Sequence, residues 1–322
     1  MRCRPTVAAA TLVACLLAGW AHAAAKPPLR LEPCRLRGVE HPLLCGVLQR
    51  PLDPADAGSA RFDLHVAVVP ALARNKLPDP VFFLAGGPGQ SAIELAGAAS
   101  RLLARLGNRR DLVLVDQRGT GRSAPLACDD DDARQRLQQQ VDPQVQTQSL
   151  ARCRAALQKL PHGDLRRYTT VLAMQDLDAV RQALGAERIN LVGGSYGTRA
   201  GLEYLRQFPA QVRRAVLDGV APPDMVLPLS MGQDARSALD GLLQACQDDA
   251  TCRQRHPRLA AQWAALLQSL PRDVTLRHAL SGADETVRLT ADQLVALVRG
   301  LLYAPSLASA LPAAIERAAS GN

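Results

Sequence analysis

The chain has 322 residues, enough for one large domain or for a domain with an added lid. Its 48% hydrophobic and 21% charged content argues against global disorder, and its 3% aromatics against modules that stack bases on aromatic platforms. The net charge of +8 is nearly all arginine, because Lys26, Lys76 and Lys159 are the only lysines. These arginines are scattered among acids, which reads as a solvated surface, and no nucleic-acid partner is expected.

The N-terminus carries an export signature. Arg2 and Arg4 form a positive start, Val7 to Trp20 an apolar run, and Ala21-His22-Ala23 a small-x-small cleavage site. The run is shorter than the roughly 20 residues of a membrane span. Residues 1–23 are therefore expected to be a cleaved signal peptide, with a periplasmic or secreted product and no other membrane association. Leu12-Val13-Ala14-Cys15 is a competing lipoprotein box, but the chain stays apolar through Trp20, which suits a signal peptide better. Outside the signal lie Cys34, Cys45, Cys128, Cys153, Cys246 and Cys252. An even number in an exported chain predicts disulfides, and closeness in sequence favours 34–45, 128–153 and 246–252. None has Cys-x-x-Cys spacing, so no metal and no cofactor is expected.

Strand and helix signals then alternate. Phe62, Leu64, Val66 and Val68 fall at the period of a strand with one buried face. Val81 to Ala85 is an apolar strand running into Gly86-Gly87-Pro88-Gly89. Ile93 to Leu106 is helix-like. Leu112 to Val115 is a second apolar strand, ending in Asp116. The acid run after Cys128 reads as a solvated loop or helix start. Leu172, Leu177, Val180 and Leu184 lie at helical spacing, with Gly185 as the stop. Ile189 to Val192 is a strand, followed by a helix from about Thr198 to Gln207. Ala215 to Leu217 is the next strand. Strands apolar on both faces with helices between them predict a mostly parallel sheet covered on both sides. After Pro222-Pro223 the pattern becomes helical. Met231 to Leu270 is broken by a loop at Cys246–Cys252. Strand-like pieces follow at Val274 to His278 and Thr286 to Leu289. Helices follow over Ala291 to Leu302 and Leu307 to Ala319.

Three motifs sit where strands end, the edge of a parallel sheet at which sites form. Gly193-x-Ser195-x-Gly197, between a strand and a helix, is the spacing that presents a serine on a sharp turn. The Tyr196 amide opens the helix and can donate to an oxyanion. Gly86 or Gly87 can bring a second loop amide to the same oxygen. Asp116-Gln117-Arg118-Gly119-Thr120-Gly121-Arg122-Ser123 reads as structural, with Asp116 accepting from loop amides that brace the turn and the arginines pairing with neighbours.

These three motifs, in this order and spacing, resemble the prolyl iminopeptidase and tripeptidyl aminopeptidase family of α/β-hydrolases. Val216-Leu217-Asp218-Gly219-Val220 and the cysteine-bearing helical segment resemble its exported, tripeptidyl-aminopeptidase-like branch. The similarity runs from about Pro33 to the last residue. Ala85 departs from it, since many members carry histidine there. The resemblance implies an α/β-hydrolase fold, with a core over residues 24–220 and an inserted helical lid over 221–322. It implies a serine hydrolase, with Ser195 as nucleophile, and a peptide substrate entered from its free amino terminus. Glu203, and more weakly Asp224, are candidate carboxylates for that terminus.

The resemblance also implies an aspartate and then a histidine after the lid. His22 lies in the signal, and His41, His65 and His162 precede the serine. His256 and His278 fall in the helical segment. No strand-helix texture follows Ala319. The expectation is therefore that the last core strands and the triad's acid and base are missing, leaving this chain inactive. A carboxylesterase of the same fold and a non-catalytic binding protein are the alternatives.

Overall fold

The computed structural model describes residues 29–128, 136–226 and 229–321. The expected signal peptide and most of the acid run lie outside the described residues.

Among the described residues, seven strands form one sheet: β1 (Leu31–Cys34), β2 (Leu43–Pro51), β3 (Arg61–Val69), β4 (Val81–Leu84), β5 (Leu112–Val115), β6 (Ile189–Gly194) and β7 (Val212–Asp218). Their order is β1-β2-β3-β5-β4-β6-β7. β1 to β3 pair antiparallel, and β3 is antiparallel to β5. The other four are mutually parallel. β5 is buried at every position because both of its faces are covered, which is why its sequence shows no alternation. One face of the sheet packs Phe62, Val66, Phe82, Val113 and Leu191 against Met174, Leu177 and Tyr204. The other packs Val81, Leu112 and Leu114 against Ala96 and Ala99.

The helices that accompany the sheet are α1 (Ala96–Leu102), α2 (Ala104–Gly107), α3 (Leu137–Val141), α4 (Pro143–Leu157), α5 (Thr170–Ala183) and α6 (Tyr196–Gln207). The single helix expected over Ile93 to Leu106 is two. Its start is delayed because Asp116 holds the Ile93 amide and the Ser91 hydroxyl holds the Glu94 amide, an alternative to helical bonding. Thr169 caps α5 by accepting from the Leu172 amide, and Gly185, at φ +69°, follows its end as expected. The helix expected from Thr198 starts two residues earlier, at Tyr196.

The remaining elements are α7 (Leu229–Asp248), α8 (Ala250–Arg255), α9 (Leu259–Gln268), β8 (Arg272–Arg277), β9 (Asp284–Leu289), α10 (Ala291–Leu302), α11 (Pro305–Ala308) and α12 (Leu311–Ala319). They surround their own apolar cluster, which includes Leu239, Trp263, Leu266, Val298 and Ile315. The loop expected at Cys246–Cys252 is a tight corner instead: Asp249 alone separates α7 from α8, and its side chain accepts from the Cys252 amide. The single helix expected over Leu307 to Ala319 is also divided. Pro312 has no amide to carry the hydrogen-bond ladder across.

All three disulfides that sequence proximity favours are formed, Cys34–Cys45, Cys128–Cys153 and Cys246–Cys252. α3 meets β9, where Glu285 accepts from the Leu137 amide at 2.9 Å and Gln138 from the Arg288 amide at 2.8 Å. Among the described residues no helix is long and apolar enough to cross a membrane.

Candidate active site

Four parallel strands end on one edge of the sheet and set down Gly86, Asp116, Ser195 and Asp218 beyond or at their last residues. β4 and β6 are neighbours with Leu84 opposite Gly193, so the loop after β4 starts beside the turn after β6.

That turn is sharp. Ser195 has φ 54° and ψ −123°, a backbone conformation that costs a non-glycine residue roughly 1–3 kcal/mol. The flanking residues are glycine because no side chain fits. A Cβ on Gly193 would stand 2.4 Å from the Gly197 carbonyl oxygen, and one on Gly197 would stand 2.1 Å from the Leu84 carbonyl oxygen. Hydrogen bonds hold the strained residue on both sides. Its amide donates to the Asp218 carbonyl at 2.9 Å. Its carbonyl accepts from the Thr198 amide at 2.9 Å and the Thr198 hydroxyl at 2.6 Å. Ser195 is solvent-exposed, and α6 starts at the next residue, so the positive end of a 12-residue helix lies at its side chain. Gly86 lies against it: a Cβ there would be 3.4 Å from Ser195 Cβ. The structure thus brings Ser195, Tyr196 and Gly86 together, with Gly87 next in the loop at φ +104°.

Residues 79–307 match the alpha/beta hydrolase fold family. The chain belongs to that family. Among curated proteins, serine protease Hip1 of Mycobacterium tuberculosis is 32% identical over 253 residues, covering 70% of this chain and 46% of Hip1. The tripeptidyl aminopeptidase of Streptomyces coelicolor is 29% identical over 218 residues, covering 62% of this chain and 39% of that enzyme. The proline iminopeptidase-related protein of Thermus thermophilus, a solved structure, is 22% identical with a TM-score of 0.35, covering 80% of this chain and 72% of that one. The chain spans less than half the length of the first two relatives.

Around the turn, this alpha/beta hydrolase uses buried polar groups as clamps. Asp116, 1% exposed, accepts from the Ser91 hydroxyl at 2.6 Å, the Ile93 amide at 3.1 Å and the Arg122 amide at 3.2 Å. It therefore ties the loop after β4 to the loop after β5, rather than bracing the Ser195 turn itself. Arg118 does pair as expected, but its partner is distant in sequence. It grips Asp176 of α5 at 2.7 and 3.0 Å, donates to the Leu52 and Arg167 carbonyls, and lies over the Phe62 ring. Arg50 also donates to Asp176. The Tyr196 hydroxyl meets that of Thr170 at 2.9 Å, linking α6 to the start of α5. Behind α6, burial opposes ionisation of Asp178. Hydrogen bonds from Arg181, Gln182 and Tyr204 outweigh that and hold its pKa below the usual carboxylate value. Sequence reasoning missed Asp176 and Asp178. The available signal was two carboxylates in a helix whose other residues, Met174, Leu177 and Val180, read as core.

The other candidates lie apart from Ser195. Glu203 follows it by eight residues of helix, about 12 Å along the axis at the usual rise. The Glu203 carboxylate is engaged by Arg206 at 2.6 and 2.8 Å and by Gln207 at 2.7 Å. Asp224 lines a separate cavity with Met225 and Asp234. His256 Nδ1 contacts Glu316 at 2.7 Å, joining α8 to α12. His278 is buried in the β8–β9 turn, where Nδ1 accepts from the Leu280 and Ser281 amides. His65 sits on β3, with its pKa lowered by burial and then by the Arg122 charge. Ser195 Oγ makes no hydrogen bond to any described residue. Among the described residues no cluster of three or more His, Cys, Asp or Glu side chains could hold a metal.

Proposed function

We propose that the protein is an exported serine peptidase that removes residues or short peptides from free amino termini, with Ser195 as nucleophile. The observation that supports this best is the strained, exposed Ser195 at the mouth of α6 with Gly86 packed against it. In this reading Ser195 Oγ attacks the scissile carbonyl and forms a tetrahedral oxyanion. The Tyr196 amide and a Gly86 or Gly87 amide donate to that oxygen. Loss of one such donor lowers kcat by roughly 10²–10³-fold. The amine departs, and water releases the acyl group from Ser195. Residues 221–322 act as a lid that limits access to chain ends. Residues 1–23 direct export, a reading that three disulfides favour.

Attack requires a base. The reading leaves that histidine, and the aspartate that orients it, unassigned among the described residues. The peptidase names of the relatives support a peptide substrate.

The test treats the full-length gene product with a fluorophosphonate probe and with aminoacyl and tripeptidyl naphthylamides. The full product should be labelled on Ser195 and release naphthylamine, and Ser195→Ala should lose both. Turnover of acyl esters with none of peptides would instead indicate an esterase. An unlabelled full product would indicate a binding protein.

A further inference from the structure

Two cavities adjoin the Ser195 turn. One, of about 270 Å³, is lined by Tyr196, Pro88 and Tyr168. The other, of about 390 Å³, is lined by Gln90, Ser91 and Glu94. They share Gly89, Gly119, Thr120 and Leu126, so they are two stretches of one groove, which Tyr196, the residue after Ser195, lines at one end. Gln90 also borders the turn: its side-chain oxygen would stand 3.2 Å from a Cβ on Gly86.

Glu94 is the only ionisable side chain lining the larger cavity. Its carboxylate makes no hydrogen bond or ion pair with any described residue. Glu94 is solvent-exposed, so its carboxylate is accessible from the groove. Glu203 is occupied by Arg206, and Asp116 by a hydroxyl and two amides. Arg118, which reaches the smaller cavity, is neutralised by Asp176. The backbone of Glu94 is also firmly placed. Its own amide is held by Ser91 Oγ, and Ser91 by Asp116, the residue that fixes both walls of the cavity.

We infer that Glu94 receives the α-ammonium group of the substrate, at the far end of a groove that Tyr196 lines beside Ser195. This rests on the peptidase reading above and deepens it. An ammonium requires a charged acceptor to offset its lost hydration, and a charge-assisted hydrogen bond is about twice as strong as a neutral one. The space between Glu94 and Ser195 would then set how many residues are removed at each cut.

Binding is measured in Ser195→Ala protein from the full reading frame, so that cleavage does not intervene. The probes are an alanine tripeptide amide and its N-acetylated form, titrated by NMR. The free amine should bind about tenfold more tightly or better. Glu94→Gln should remove that preference, and Glu94→Asp should keep part of it, with melting temperatures confirming that both variants fold. A preference that survives Glu94→Gln, or no preference at all, overturns the inference. Fluorophosphonate labelling of unmodified protein is run in parallel. Labelled Ser195 with no amine preference sinks this inference alone, whereas unlabelled Ser195 sinks the peptidase reading with it.

Discussion

The carboxyl edge of the sheet and the helical segment over residues 229–321 are stabilised in different ways. At the edge, position is set by buried polar groups and by glycines with no spare volume: Asp116 between two loops, Arg118 on Asp176, and Gly193 and Gly197 against backbone oxygens. The helical segment is held by apolar packing around Leu239, Trp263, Leu266 and Ile315, with polar links such as His256–Glu316 at its margin. A wet, strained serine needs hydrogen bonds and close backbone contact to fix it within tenths of an ångström. The helical segment needs only a buried face, and apolar contacts tolerate small changes of shape.

That contrast can be broken from its strongest point. Gly197→Ala places a methyl 2.1 Å from the Leu84 carbonyl oxygen, and backbone must move. We expect a loss of at least about 3 kcal/mol in urea unfolding, with no Ser195 reactivity left in the full product. Asp176→Ala strands Arg118 and Arg50 next to the core. The expected cost is about 3–5 kcal/mol, read as a fall in the unfolding midpoint at unchanged slope.

Acid should also act on the sheet side. Burial works against the Asp178 carboxylate, but its donors win and depress its pKa below the ordinary 3.8. Burial opposes the Asp79 carboxylate too, and there Arg110 and Asn190 more than offset it. A depressed carboxylate stabilises the fold above its unfolded pKa, and that stability is lost as pH falls through the lower folded value. The melting temperature should therefore be nearly level from about pH 7 to 5 and drop below about pH 4, with a shallower drop in Asp178→Asn. The smallest effect belongs to the helical segment. Leu266→Met, which conserves volume in its core, should cost less than about 1.5 kcal/mol. A cost there equal to that of Gly197→Ala would erase the distinction.

The sequence exposes the half of the fold in which covering is complete. Val81 to Leu84, Leu112 to Val115 and Ile189 onward are apolar because helices lie on both faces, and the glycines that end them sit where side chains would collide. β1 and β2 were invisible by the same criterion. β1 contains Pro33, and β2 carries Gln49 and Arg50 with Leu43 its one fully buried residue. β2 is a strand because it pairs with β3, and β1 because it pairs with β2, and no local pattern encodes either pairing. Arg118 and Asp176 are 58 residues apart, so their contact was equally hidden. For Glu203, charge and nearness in sequence were visible, whereas its bond to Arg206 and the length of helix separating it from Ser195 were not.

The hydrogen bond from the Ser195 amide to the Asp218 carbonyl has a mechanical side. Asp218 closes β7, an edge strand of the sheet among the described residues, whose Val216 is 58% exposed. Ser195 is thereby stitched to the rim of the sheet. A chain that zips onto that rim steadies the serine, and a force that peels the rim away slackens it first.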